Sequence, residues 1–421
     1  MKTELSRIAQ IKNKRYSGVY QQQGRMLTDA DWNQLNEIIK AQLRNSMADA
    51  LGDGSPRNKG VIKISESGGS DIYALQWGHA YVDGIHAEIT PDQTVDLSNP
   101  LTPAFEFDKQ GDFPDAPPLP NTGVCLYLDV WERTVTALED SDLMDPGLHG
   151  ADTCTRTQTM AQVKWCDPTI NPEDPAQNPT QGDAPLSLVV RQDQTEPDPC
   201  NPCDAELVLD TPLGNYLFRI EVHDAVYQSG QREEITLKWS SENGALAFVV
   251  EEEPAGFKSS KWAYEFFNGS DQKLATEKHL GLHLNTDTWL PKRGALYSAY
   301  PETLPAGYSQ VRRWDGFGKF TKQSDGSWAL ATNSSGQAIG SDRGIPLSTE
   351  SSLGDPAHVE EGVTLALNLN TMDITFALGS YFALAGDYWA VPVREAIHVA
   401  GSVLLSEALP VGIRHHYMTL V

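Results

Sequence analysis

Between residues 28 and 51, apolar side chains recur at helical spacing: Trp32, Leu35, Ile39, Leu43 and Met47, with Asn33, Gln34, Lys40 and Arg44 between them and Ile38 at the edge. Side chains four apart share one face of a helix, so the pattern predicts a helix with a narrow apolar stripe. Thr28, followed three residues later by Asp31, supplies an N-cap with an acidic first turn, and Gly52 and Gly54 end the pattern. A stripe this narrow suits either a small bundle with other copies or packing against the body of the same chain. The pattern leaves both open.

From residue 60 onward the period changes to two. Residues 61–64, 72–77 and 80–89 form short β-rich runs, with Asp83-Gly84 marking a tight turn or bulge. Strands are expected at 124–130 and 134–138. In the run 216–223, Tyr216, Phe218, Ile220 and Val222 alternate with Leu217, Arg219, Glu221 and His223, which reads as a half-buried strand. Runs 235–239 and 246–250, separated by Asn243-Gly244, read as a hairpin. Residues 167–204, rich in Pro, Asp, Asn and Gln, read as a long exposed loop interrupted by a strand at 186–190. Residues 323–352 read as a second long loop. Alternation at 363–369 and apolar runs at 374–377 and 388–393 predict the last strands. The expected fold is mainly β with an N-terminal helical segment, built of β-sandwich or barrel-like domains with long surface loops. The expected division is a helical segment over 1–55, a central β-rich domain over 56–255 and a C-terminal β-rich domain over 256–421.

Composition narrows the choice of partner. Acidic residues outnumber basic ones 57 to 32, a formal charge of -25. That sign disfavours nucleic acid and anionic membrane surfaces, both of which call for Lys and Arg. No apolar stretch follows the first residues and no window resembles a membrane-spanning helix, so synthesis in the bacterial cytoplasm without ordinary secretion is expected. Hydrophobic residues at 40% are enough for packed cores.

Five cysteines are present. Cys200 and Cys203 form a Cys-x-x-Cys between prolines, with Cys154 and Cys166 upstream, and these four thiols are the candidate ligands of a structural zinc. The spacing from Cys154 to Cys166 matches no zinc ribbon, however. Reduced, unlinked thiols are the alternative in a cytoplasmic product, with no disulfide needed for folding and no other cofactor expected.

Catalytic signatures are missing from the sequence: there is no phosphate-binding glycine loop, no dinucleotide fingerprint, no Gly-x-Ser-x-Gly elbow and no His-Glu-x-x-His. His279 and His283 read as surface histidines. His415 and His416, being adjacent, point opposite ways on a strand and suit packing or hydrogen bonding. Glu139 with Asp140, and Glu251 to Glu253, could flank a sugar as glycosidase carboxylates but read more simply as solvated turn residues. Trp239, Trp262, Trp289, Trp314, Trp328 and Trp389 suit either sugar stacking or buried anchoring. An enzyme is not expected.

Specific strings add a further reading. Tyr16-Ser-Gly-Val-Tyr-Gln-Gln-Gln-Gly-Arg25 and Leu27-Thr-Asp-Ala-Asp-Trp-Asn33 resemble the opening of an uncharacterised family, domain of unknown function 6519. Tyr81-Val-Asp-Gly84, Trp131 through Asp140 and Gly150 through Gln158 resemble its next landmarks, followed by Phe218 to His223, Lys238 to Gly244, Arg312 to Asp315 and Gly386 to Trp389. The resemblance implies a structural component of a phage-tail-like contractile injection system: a baseplate-associated, fibre-like or casing protein. Such a particle is assembled in the cytoplasm and can be released outside the cell. The resemblance carries no catalytic residue. A sugar-binding adhesin of the same particle, meeting a surface glycan, and a polysaccharide-cleaving enzyme are the alternatives. Partners would be other tail subunits and copies of the chain, with a homotrimer expected from the helical stripe.

Overall fold

The computed structural model describes residues 14–56, 60–67, 70–91, 104–114, 116, 119, 123–191, 193–194, 207–208, 215–228, 231–242, 244, 246–259, 262–268, 294–324, 328–331, 340–342, 357–360, 364–368, 372–377 and 381–420. The architecture is mainly β, with multiple antiparallel sheets and one N-terminal α-helix, Asp29–Leu51.

The helix begins where the sequence places it. The Thr28 side chain accepts from Asp31 N at 3.2 Å, and the Asp31 carboxylate accepts from Thr28 N at 3.1 Å, a reciprocal capping box. Gly52 closes the other end with φ 66°.

After the helix come the antiparallel pair Ile62–Ser67 and Ser70–Gln76 and then the hairpin Gly78–Val82 and Ile85–Ile89, turned by Asp83 and Gly84, both at positive φ as a type I′ turn requires. Its inward side chains join an apolar core with Leu126, Leu128 and Val130 of the strand Cys125–Val135 and with Ala161 and Val163 of Arg156–Cys166. These last two strands pair along their full length, and the C-terminal strand His415–Thr419 pairs with the other edge of Cys125–Val135. The expected strands at 124–130 and 134–138 are therefore one continuous strand that ends at Val135.

A second core is a sandwich. One wall is the five-stranded sheet in which Leu186–Val190 lies between Met372–Ala377 and Val403–Ala408. The facing wall is the sheet containing Tyr216–Gln228, Gln231–Ser240, Gly316–Lys322 and Tyr388–Val393. Leu186, Leu188, Ile374 and Phe376 from the first wall pack with Ile220, Leu237, Trp239 and Trp389 from the second. The other side of the second wall is covered by a four-stranded sheet containing Ala263–Phe267 and Gln310–Trp314.

Three expectations are corrected here. Residues 235–239 and 246–250 do not form a hairpin: Gln231–Ser240 pairs with Tyr216–Gln228 and Gly316–Lys322, while Ala247–Val249 pairs with Gln310–Trp314 in a different sheet. The strand from Tyr216 is not half-buried, because Arg219 and Glu221, on its polar side, are covered by the four-stranded sheet. The 167–184 stretch is not simply exposed: it is a run of turns that buries Pro172, Asn178 and Pro179 against the sheet carrying His415–Thr419.

The expected division at 255/256 is crossed by the sheets, since Leu186–Val190, Tyr216–Gln228 and Cys125–Val135 all pair with strands beyond residue 310. Pairings this distant leave no mark in local composition.

Candidate functional site

The helix contacts the body through its charged flank. Lys40 Nζ reaches Glu132 Oε2 at 3.0 Å, and Arg44 pairs with the same oxygen. Burial alone would raise the Glu132 carboxyl, but the two cations hold it below its ordinary value. Beside them the hairpin turn touches the helix backbone directly. A Cβ on Gly84 would stand 2.0 Å from Arg44 O and 3.0 Å from Ala48 N. Asp53 ties the turn down by accepting from Asp83 N at 2.8 Å, and Ile38 is the one buried side chain of the helix.

That anchoring turns the apolar stripe outward. Trp32, Ile39 and Leu43 are 56%, 54% and 57% exposed. Leu35 and Met47 are half-buried at the margin. Tyr16, Tyr20, Met26 and Leu27, from the segment leading into the helix, add further exposed apolar surface. The helix does pack on its own chain, through Ile38 at the edge of the stripe together with Lys40, Arg44 and Ala48, while Trp32, Ile39 and Leu43 face away. Single exposed apolar side chains are ordinary on any protein; a row of them on a fixed helix marks an interaction face.

Elsewhere, two clusters of charged groups are turned inward and satisfied by one another. In the first, Asp129 Oδ2 accepts from Lys164 Nζ at 2.5 Å while its Oδ1 meets His415 Nδ1 at 2.8 Å. None of the three is exposed. Burial would raise the Asp129 carboxyl, but His415 and Lys164 hold it far below the usual carboxylate range. His416 points to the opposite face of the strand and meets Asp83 Oδ2 at 2.7 Å, as adjacency on a strand predicts. Burial pushes the His416 imidazole down despite Asp83, so a neutral ring donating from Nδ1 fits this contact.

The second cluster lies between the sandwich and the four-stranded sheet. Glu221 accepts from Arg219, Lys238 and Arg312; Glu265 accepts from Lys238 and Arg312, each at 2.7 Å, and from Trp314 Nε1 at 3.0 Å. Burial would raise the Glu221 carboxyl, but Arg312, Lys238 and Arg219 hold it well below its ordinary value.

The other sequence candidates are dispersed. Glu139 pairs with Arg133 at 2.9 Å beside an open cleft of about 330 Å³, and Asp140 caps the short turn at Ser141–Leu143. Glu253 accepts from Tyr300 Oη at 2.5 Å. Trp239, Trp314 and Trp389 are buried anchors, while Trp262 and Trp328 are partly buried. Trp289, His279, His283, Cys200 and Cys203 lie outside the described residues. Of the two remaining zinc candidates, Cys154 is exposed and Cys166 is buried. Among the described residues no group of three or more His, Cys, Asp or Glu converges as a metal site. Cys166 instead lies opposite Cys125, a residue the sequence reading passed over. The clue available was that Cys125 lies near the start of the expected strand 124–130; the sequence predicts no strand ending at Cys166.

Residues 1–174 match the model of a family of unknown function (DUF6519). The match takes in the landmarks from Tyr16 to Gln158 and stops short of those beginning at Phe218, Lys238, Arg312 and Gly386. No curated protein and no solved structure matches the chain. The matched stretch includes all the parts that hold the helix: the capping box, the turn at Gly84 and the anchor Glu132.

Proposed function

We propose that this protein is a structural subunit of a phage-tail-like contractile injection particle, as a baseplate-associated, fibre-like or casing component, and that its N-terminal helix meets copies of the same chain. The observation that carries the reading is the outward row of Trp32, Ile39 and Leu43 on a helix fixed from its other flank by Lys40, Arg44 and Gly84. Full burial of a Leu, Ile or aromatic side chain is worth roughly 1.5–3 kcal/mol, and about half of that is still available at each of these positions. A homotrimer about the helix would use it.

The interior supports the same reading. Glu221, Glu265 and Asp129, which share their charge with buried cations, are sealed between layers where no substrate reaches them. Such networks hold sheets in fixed relation, which suits a part that bears load. Among the tryptophans that could serve as sugar-stacking platforms, Trp239, Trp314 and Trp389 are committed to cores, while the exposed aromatics Trp32, Tyr16 and Tyr20 belong to the helix face and the segment leading into it.

The test is electron microscopy of particles from a deletion strain, paired with a target-killing assay. Unstable, incomplete or inactive particles are expected. Normal particles that kill normally would contradict the assignment, and well-formed particles that fail to attach would favour the adhesin.

A further inference from the structure

Cys125 opens one strand of the first sheet and Cys166 closes its antiparallel neighbour, and the ladder places them directly opposite each other. Directly opposed residues on antiparallel strands have Cα atoms about 4.5–5.5 Å apart, inside the range that a disulfide spans. The two side chains lie on the same face, with Tyr127, Tyr417 and Ile170 packed around them. Their thiols are within hydrogen-bonding reach of one another. Cys166 is fully buried, whereas Cys125 is partly exposed and so open to a reagent from solvent.

We propose that Cys125 and Cys166 are a redox-responsive pair that closes to a cross-strand disulfide when the chain meets a small-molecule disulfide such as oxidised glutathione. The inference is independent of the functional reading above. Cys125 is the attacking thiol because it is the accessible one, and its hydrogen bond with Cys166 lowers its proton affinity below that of an ordinary cysteine. Its thiolate attacks one sulfur of the reagent, forming a mixed disulfide and releasing the first small thiol. Cys166 then attacks the Cys125 sulfur, the reagent's second half departs as a thiolate, and that thiolate takes up the Cys166 proton. The protein loses two protons and two electrons, and one small disulfide takes them up to become two thiols. Cys154, exposed on its own in the turn before Arg156–Cys166, has no such neighbour among the described cysteines.

Closure would link residues 125 and 166 at the open end of the ladder, beside the strand that brings the C-terminus back to this sheet. Because the folded chain already holds the sulfurs together, oxidation constrains chiefly the unfolded state.

The full-length chain is equilibrated in buffers of reduced and oxidised glutathione, quenched with an alkylating agent, digested without reduction and mapped by mass spectrometry. A linked peptide pair joining Cys125 to Cys166 is expected, with Cys154 remaining alkylated or singly glutathionylated. The oxidised protein unfolds about 5 °C higher than the reduced form, an order of magnitude set by the length of the closed loop. In Cys125→Ser, whose side chain is partly exposed, the linkage and the thermal gain both disappear. Alkylation of both cysteines at every potential would overturn the proposal. So would pairing of Cys166 with a cysteine other than Cys125, or a mixed disulfide on Cys125 that never resolves.

Discussion

Arg312 Nε donates to Glu265 Oε2 over 2.7 Å, and neither side chain reaches solvent. The pair joins the four-stranded sheet to the sandwich, because Lys238 binds the same oxygen from the strand Gln231–Ser240. Three cations, Arg219, Lys238 and Arg312, share the two carboxylates Glu221 and Glu265. Breaking a buried pair by removing one partner typically costs about 3–5 kcal/mol, because the remaining charge is stranded.

The cluster's charge balance predicts an asymmetry. Glu265→Gln leaves the three cations facing one carboxylate and should destabilise by roughly 3–5 kcal/mol. Arg219→Met leaves two cations with two carboxylates and should cost clearly less. Urea unfolding of both variants decides it; equal losses would show that charge balance does not govern the cluster.

Gly84 is the second point of leverage. Gly84→Ala places a Cβ 2.0 Å from Arg44 O and holds a non-glycine residue at φ 73°. Left-handed backbone alone costs about 1–2 kcal/mol, and displacement of the helix adds to it. Gly18→Ala meets nothing nearer than Tyr20 at 3.6 Å and serves as the control. A clear drop in the thermal midpoint is expected for Gly84→Ala alone, and a silent Gly84→Ala would mean that the helix does not rest on the turn.

Asp129 predicts a pH dependence. Its native carboxyl is held far below the ordinary value, by His415 and Lys164 against burial. A group depressed in the native state contributes its full stability above its unfolded pKa, about 3.9, and loses it as the pH falls toward the native value. Stability should therefore decline on acidification below about pH 4 with a slope that Asp129→Asn reduces. Denaturant titrations at a series of pH values measure that slope, and an unchanged slope in the variant would place the acid sensitivity elsewhere.

How much of this was legible in the sequence varied with the range of the interaction. The capping box, the turn at Asp83-Gly84 and the opposite facing of His415 and His416 follow from residues within a few positions of one another, and all three are present. Arg219 and Glu221 misled because alternation shows which residues share a face but not whether a second layer covers it. The Asn243-Gly244 signal misled because the strands on either side of it, Gln231–Ser240 and Ala247–Val249, belong to different sheets. Likewise, the stripe from Trp32 to Leu43 was visible, but its outward direction depends on Glu132, about ninety residues away along the chain. Cys125 became a partner of Cys166 only once the ladder between them was known.

The central claim is that the outward helix face assembles copies of this chain, and sedimentation equilibrium of the full-length protein at micromolar concentration tests it most directly. The account predicts a species of about three times the 46.2 kDa chain mass. It also predicts that Ile39→Glu with Leu43→Glu, at positions already more than half exposed, yields a folded monomer. A wild-type chain that sediments only as monomer, or a trimer that survives the double substitution, would contradict it.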